Sequence, residues 1–165
     1  MRLRLVAASA VALAVVPALA SCSGGGSGSK QPPITEEPNS RPTAPPLPPK
    51  QALAARMVVF TFLRGVGSGD AKVCGLLAPE YQRLTFGKPG GCRTGFGAAR
   101  KRFRPKDLTA LRTVIVPTGE AGPGLGDYTV RFEDLKWKGD PARPGGVLAA
   151  VFTLHLTGKT WRIVG

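Results

Sequence analysis

A chain of 165 residues with 22 glycines, 16 prolines and three cysteines fits one ordinary domain core. Its 23 lysines and arginines face 10 acidic residues, a formal charge of +13, and most of the excess lies in residues 51–165, which hold 18 basic and eight acidic residues. Such a field attracts polyanions without choosing among them, which points to a class of partner and to no reaction.

Arg2 and Arg4 open the chain, residues 5–20 run without a charge, and the small residues Ala20 and Ser21 precede Cys22, the order of a secretory signal. The uncharged run is sixteen residues long and contains Pro17. A membrane-spanning helix needs about 20 mainly apolar residues, and no later run approaches that length, so no transmembrane helix is expected. Leu19-Ala20-Ser21-Cys22 resembles the lipobox of bacterial lipoproteins, in which a signal peptidase cuts before the cysteine and its thiol carries a diacylglyceryl group. The resemblance implies a signal peptide over residues 1–21 and a mature chain that starts at acylated Cys22, anchored on the extracytoplasmic side of a cell membrane. The alternative is an ordinary secreted protein cut at residues 18–20, with Cys22 a stray thiol. Export makes nucleic acid an unexpected partner and leaves anionic lipid, phosphate-bearing wall polymers and acidic proteins.

Residues 22–50 read as a disordered tether in two parts. Residues 23–29 are glycine and serine only, and residues 31–49 carry eight prolines in nineteen positions. Neither part can bury a core, and the second favours extended polyproline at about 3.1 Å per residue. Pro45-Pro46-Leu47-Pro48-Pro49 could instead be a ligand for a proline-binding module.

Residues 51–165 form the expected domain. Leu53, Met57 and Phe60 recur at helical spacing, which predicts a first helix over about 50–64 that Gly65 to Gly69 stop. Asp70 is placed to cap a second helix bearing Val73, Leu76 and Leu77, and Pro79 restarts a short one with Tyr81 and Leu84. The glycines of residues 87–97 imply loop, and Phe96, Ala99 and Phe103 allow one more helical piece that Pro105 ends. The period then changes. Residues 108–116 are rich in Thr, Val and Ile, and residues 120–126 form a glycine-laden turn. Tyr128, Val130 and Phe132 alternate with polar residues as a half-buried strand, and a β-bulge near Glu133 or Asp134 would bring Leu135 and Trp137 back into phase. Residues 147–157 are the longest strand candidate, and Gly158-Lys159 suits a type II′ turn into residues 160–164. The expected class is α+β, with N-terminal helices on one face of a bent antiparallel sheet of about four strands.

That order of elements resembles the nuclear-transport-factor-two-like superfamily, the cystatin-like cone. The resemblance is carried by residues 55–62, by Gly69-Asp70, by Leu76-Leu77-Ala78-Pro79-Glu80 and by Gly158-Lys159-Thr160-Trp161-Arg162-Ile163. It covers the whole of residues 51–165 and brings no catalytic signature. It implies a cone whose interior can house a ligand, and among its members are isomerases and cyclases.

With Cys22 acylated, Cys74 and Cys92 remain as an even pair in an oxidising compartment, which predicts a disulfide. Two cysteines and one histidine cannot close a structural zinc site without carboxylates from elsewhere, so neither a metal nor a cofactor is expected. His155, the single histidine, lies on a strand face with Val151, Thr153 and Thr157. With Tyr128 and Asp134 it is a candidate cavity residue, and an isomerase or cyclase would use His155 and Asp134 as acid and base. Arg100, Lys101, Arg102 and Arg104 form a basic run that could rest on an anionic surface, the alternative being a solvated helix end. The leading expectation is a lipid-anchored domain that binds a ligand or envelope partner without catalysis. The alternatives are the isomerase or cyclase and a structural protein that holds anionic envelope polymers.

Overall fold

The computed structural model describes residues 45–165. The signal-like segment, Cys22 and the tether up to residue 44 lie outside the described residues. Among the described residues the architecture is α+β, with four α-helices, two 3₁₀ segments and a four-stranded antiparallel sheet. No helix among the described residues is long and apolar enough to cross a membrane.

Helix α1 (Pro49–Ser68) starts at the second proline of a pair, where a missing N–H costs nothing and φ is already helical. The helix therefore takes up the last two residues assigned to the tether, and Leu47 before it packs against the core. It also runs four residues past its expected end. Gly65 and Gly67 do not stop it; they are buried in its last turns, and the chain turns only at Gly69, with φ +86°. At Gly67 a Cβ would stand 2.9 Å from the backbone nitrogen of Arg112 and the carbonyl oxygen of Leu108, so this glycine lets α1 approach α4 (Pro105–Arg112) closely. Gly67→Ala should therefore lower unfolding stability by about 1–3 kcal/mol despite alanine's better helix propensity. Urea denaturation checks it, and a stabilised variant would contradict the close approach.

Asp70 caps as expected, its carboxylate accepting from the Lys72 N–H at 3.0 Å, but the segment it opens is a 3₁₀ helix (Ala71–Leu76). Helix α2 (Pro79–Phe86) starts at its proline. The loop expected over residues 87–97 is present only over residues 87–90; from Gly91 the stretch is helical, and α3 spans Gly91–Arg100. Pro105 begins a helix instead of only ending one, and α4 occupies much of what reads as a strand over residues 108–116. Of that strand only a single bridge survives, between Ile115 and Lys136.

Strand β1 (Glu120–Ala121) is short, β2 is Asp127–Arg131, β3 is Val151–Thr157 and β4 is Thr160–Ile163, paired in sequence order. The phase shift expected as a bulge is made by a 3₁₀ turn at Phe132–Asp134, after which Leu135 is again buried. β3 begins four residues later than expected, because Val147 and Leu148 turn into the core from a bridge between Gly145 and Leu148. The β3–β4 turn is Gly158-Lys159 with positive φ at Gly158 alone, as a type II′ turn requires.

One sheet face carries Tyr128, Val130, Phe152, Leu154, Trp161 and Ile163, all buried, and α1 lies against it. The Phe62 and Phe152 rings meet edge to face with centroids 6.1 Å apart. The other face is polar, with Asp127, Arg131, Thr153 and His155. The expected disulfide is present: Cys74 and Cys92, with Cα atoms 5.6 Å apart, join the first 3₁₀ helix to the first turn of α3.

Candidate functional site

The basic run does not form one surface. Arg100 turns back on α1, its Nε and Nη2 donating to the carbonyls of Val66 and Gly67 at 3.1 Å each. Arg112 donates to the same Gly67 carbonyl at 3.0 Å. Two guanidinium groups thus satisfy carbonyls left open at the C-terminal end of α1, where positive charge is also favoured by the helix dipole. Arg100, half-buried, thus spends its Nε and Nη2 donors on α1, unlike the rest of the run. Lys101 is exposed and remains free for an electrostatic role.

Arg102 and Arg104 face a groove of about 450 Å³, walled by α2, by the end of α3, by the start of α4 and by residues 143–147. Arg143 reaches it from the far wall, a residue that no spacing connects to the basic run. Phe103, Pro144 and Val147 supply apolar lining. Arg104 is held by a fork: its Nε and Nη2 donate to the two carboxylate oxygens of Asp107 at 2.8 and 2.6 Å. Asp107 is 5 % exposed, and the Arg104 guanidinium beside it holds its carboxyl below the usual carboxylate range. The fork uses two of five guanidinium N–H groups, so three donors of a fixed Arg104 are left.

The far wall is equally fixed. Gly145 and Leu148 exchange backbone hydrogen bonds of 2.7 and 3.1 Å, and the Tyr81 hydroxyl of α2 donates to the Val147 carbonyl at 3.1 Å. Burial pushes the Tyr81 phenol up to about 12, so it stays a donor at any physiological pH. Gln82 ties α2 to the disulfide-linked segments, donating to the Cys74 and Leu77 carbonyls at 3.3 and 3.2 Å and accepting from the Cys92 N–H at 3.4 Å.

The residues expected to share a cavity do not converge. Tyr128 points into the core against Trp161, with ring centroids 6.5 Å apart, whereas His155 stands on the opposite, polar face. The period of two along paired strands requires this, since Tyr128 pairs with Leu154 and its neighbour Asp127 pairs with His155. Asp134 sits in the 3₁₀ turn after β2 and is not the partner of His155. That partner is Asp127: its Oδ1 lies 2.6 Å from His155 Nδ1, and its Oδ2 accepts from the Gly124 N–H at 3.1 Å. Neither residue borders the groove.

No protein-family model, curated protein or solved structure gives a significant match to this chain.

Proposed function

We propose that this chain is an exported lipoprotein, anchored through acylated Cys22 on the extracytoplasmic side of a cell membrane, whose α+β domain binds an anionic ligand or envelope partner without catalysis. The observation that carries the binding half is the groove: three arginines line it, and among the described residues its one carboxylate, that of Asp107, is already bound by one of them. A general base would need a free proton acceptor directed into the groove. The His155–Asp127 pair, which has the chemistry for that role, faces solvent on the sheet's outer side. The anchoring half rests on the lipobox-like residues and on the proline-rich span before α1. The cystatin-like cone is the reading we favour for the domain, supported by a long first helix lying across an antiparallel meander.

Heparin chromatography of the full chain in nonionic detergent tests the groove. Arg102→Gln with Arg143→Gln should elute at clearly lower salt than wild type. Lys88→Gln with Arg93→Gln removes the same charge away from the arginine-lined groove and should shift elution much less. Equal shifts would mean that the positive field acts as a whole and that the groove is not the binding site.

A further inference from the structure

We propose that the groove takes a phosphate monoester carrying a short apolar body, the phosphate among Arg102, Arg104 and Arg143 and the body over Pro144. The inference rests on the groove being the binding site and deepens it to a ligand class. Charge selects the head group. Three guanidinium groups and the Asp107 carboxylate leave two net positive charges in the groove. A phosphate monoester carries about −1.5 to −2 at neutral pH, whereas a carboxylate carries −1 and leaves one charge uncompensated. Geometry agrees, because Arg104 is fixed by its fork with three N–H donors to spare, and guanidinium planes match phosphate oxygens in pairs.

Pro144 selects the body. It lines the groove and also a second hollow of about 390 Å³, whose walls include Phe132, Ala150 and Val151. Val151 is 41 % exposed, a large apolar side chain on an otherwise polar sheet face. The charged residues beside that hollow do not invite an anion. Arg131 is bound to Glu120 through Nε and Nη2 at 3.0 and 2.8 Å, and Glu133 is negative. An anion is therefore directed to the arginines while an alkyl chain passing Pro144 meets apolar surface. Inorganic phosphate would use only the first of these two sites, and a simple alcohol only the second.

Isothermal titration of the full chain in nonionic detergent, with a detergent blank, separates these cases using n-butyl phosphate, inorganic phosphate and n-butanol. Butyl phosphate should bind at least tenfold more tightly than inorganic phosphate, and butanol should give no saturable heat. Arg102→Gln with Arg143→Gln should weaken butyl phosphate at least tenfold. Val151→Ser, at an exposed position, should reduce the advantage of butyl phosphate over inorganic phosphate and leave inorganic phosphate unchanged. Equal affinities for the two phosphates, or butyl phosphate binding that survives loss of both arginines, would overturn the inference. Equal phosphate affinities together with a groove-specific shift on heparin would refute the monoester alone and keep the anion-binding reading. A heparin shift no larger than that of the charge-matched control would remove the premise of both.

Discussion

Replacing both disulfide cysteines, as Cys74→Ala with Cys92→Ala, should lower the unfolding free energy by about 3 kcal/mol. In the chain-entropy account the size of the loss follows from the 18-residue separation, because the bond removes loop-closure freedom from the unfolded chain. For a domain of this size the shift in melting temperature is on the order of 10 °C. The local sequence makes the dependence stronger. Helix α3 carries Gly91, Gly95 and Gly97 in ten residues, and an interior glycine costs about 1 kcal/mol relative to alanine. Such a helix is held by its attachments, the buried Cys92 in its first turn and the Gln82 contact, rather than by propensity. Urea unfolding followed by the fluorescence of Trp137 and Trp161 measures the loss. An unfolding free energy within a few tenths of a kcal/mol of wild type would mean that the bond is absent or bears no weight in stability.

Much of this fold could be read from the residues because local signals agreed with tertiary demand. Pro49 and Pro79 open helices at the position where proline is tolerated, Asp70 caps the segment it precedes, and the alternation through Tyr128 and Val130 matches a sheet with one buried face. Gly158 marks the last hairpin. Where the reading failed, one residue type had two uses. The glycines at 65 and 67 look like a stop signal, yet their value lies in close packing against Val73 and against α4, which no local pattern announces. Gly91 and Gly95 of α3 look like loop for the same reason, since a Cβ at either would press on Phe86. Residues 108–116 look like strand from their Thr, Val and Ile, but Pro105 with Asp107 two residues on is a helix start, and that signal prevailed.

The site was less legible than the fold. Arginine density located part of it, through Arg102 and Arg104. Which guanidinium groups are free depends on tertiary partners: the carbonyls of Val66 and Gly67 take Arg100, and Asp107 takes one edge of Arg104. Arg143 comes from a proline- and glycine-rich segment about forty residues away, where sequence offers nothing to tie it to the others. The pairing of His155 with Asp127 rather than Asp134 follows from strand register, which a 3₁₀ turn after Arg131 leaves unchanged and a misplaced bulge obscures.

Where the protein sits decides which anions it can meet, since an anchored domain would meet envelope anions and a cytoplasmic one nucleic acid. Acylation at Cys22 should have the largest effect of any single feature, because two or more acyl chains hold a protein stably where one does not. The mature chain's excess of positive charge, lower by two than the full chain's +13 once Arg2 and Arg4 are removed, gives only a salt-sensitive attraction, screened over about 8 Å at physiological ionic strength. The two contributions can therefore be separated by a high-salt wash, which should leave the wild-type protein in the membrane fraction. The most direct measurement is intact and fragment mass spectrometry of the protein purified from membranes of a bacterial host. The expected species lacks residues 1–21, begins at Cys22 and carries the added mass of a diacylglyceryl group on that residue, with Cys74 and Cys92 two hydrogens lighter as a disulfide. A mature chain with unmodified Cys22, or one cut at residues 18–20, would contradict the anchored lipoprotein.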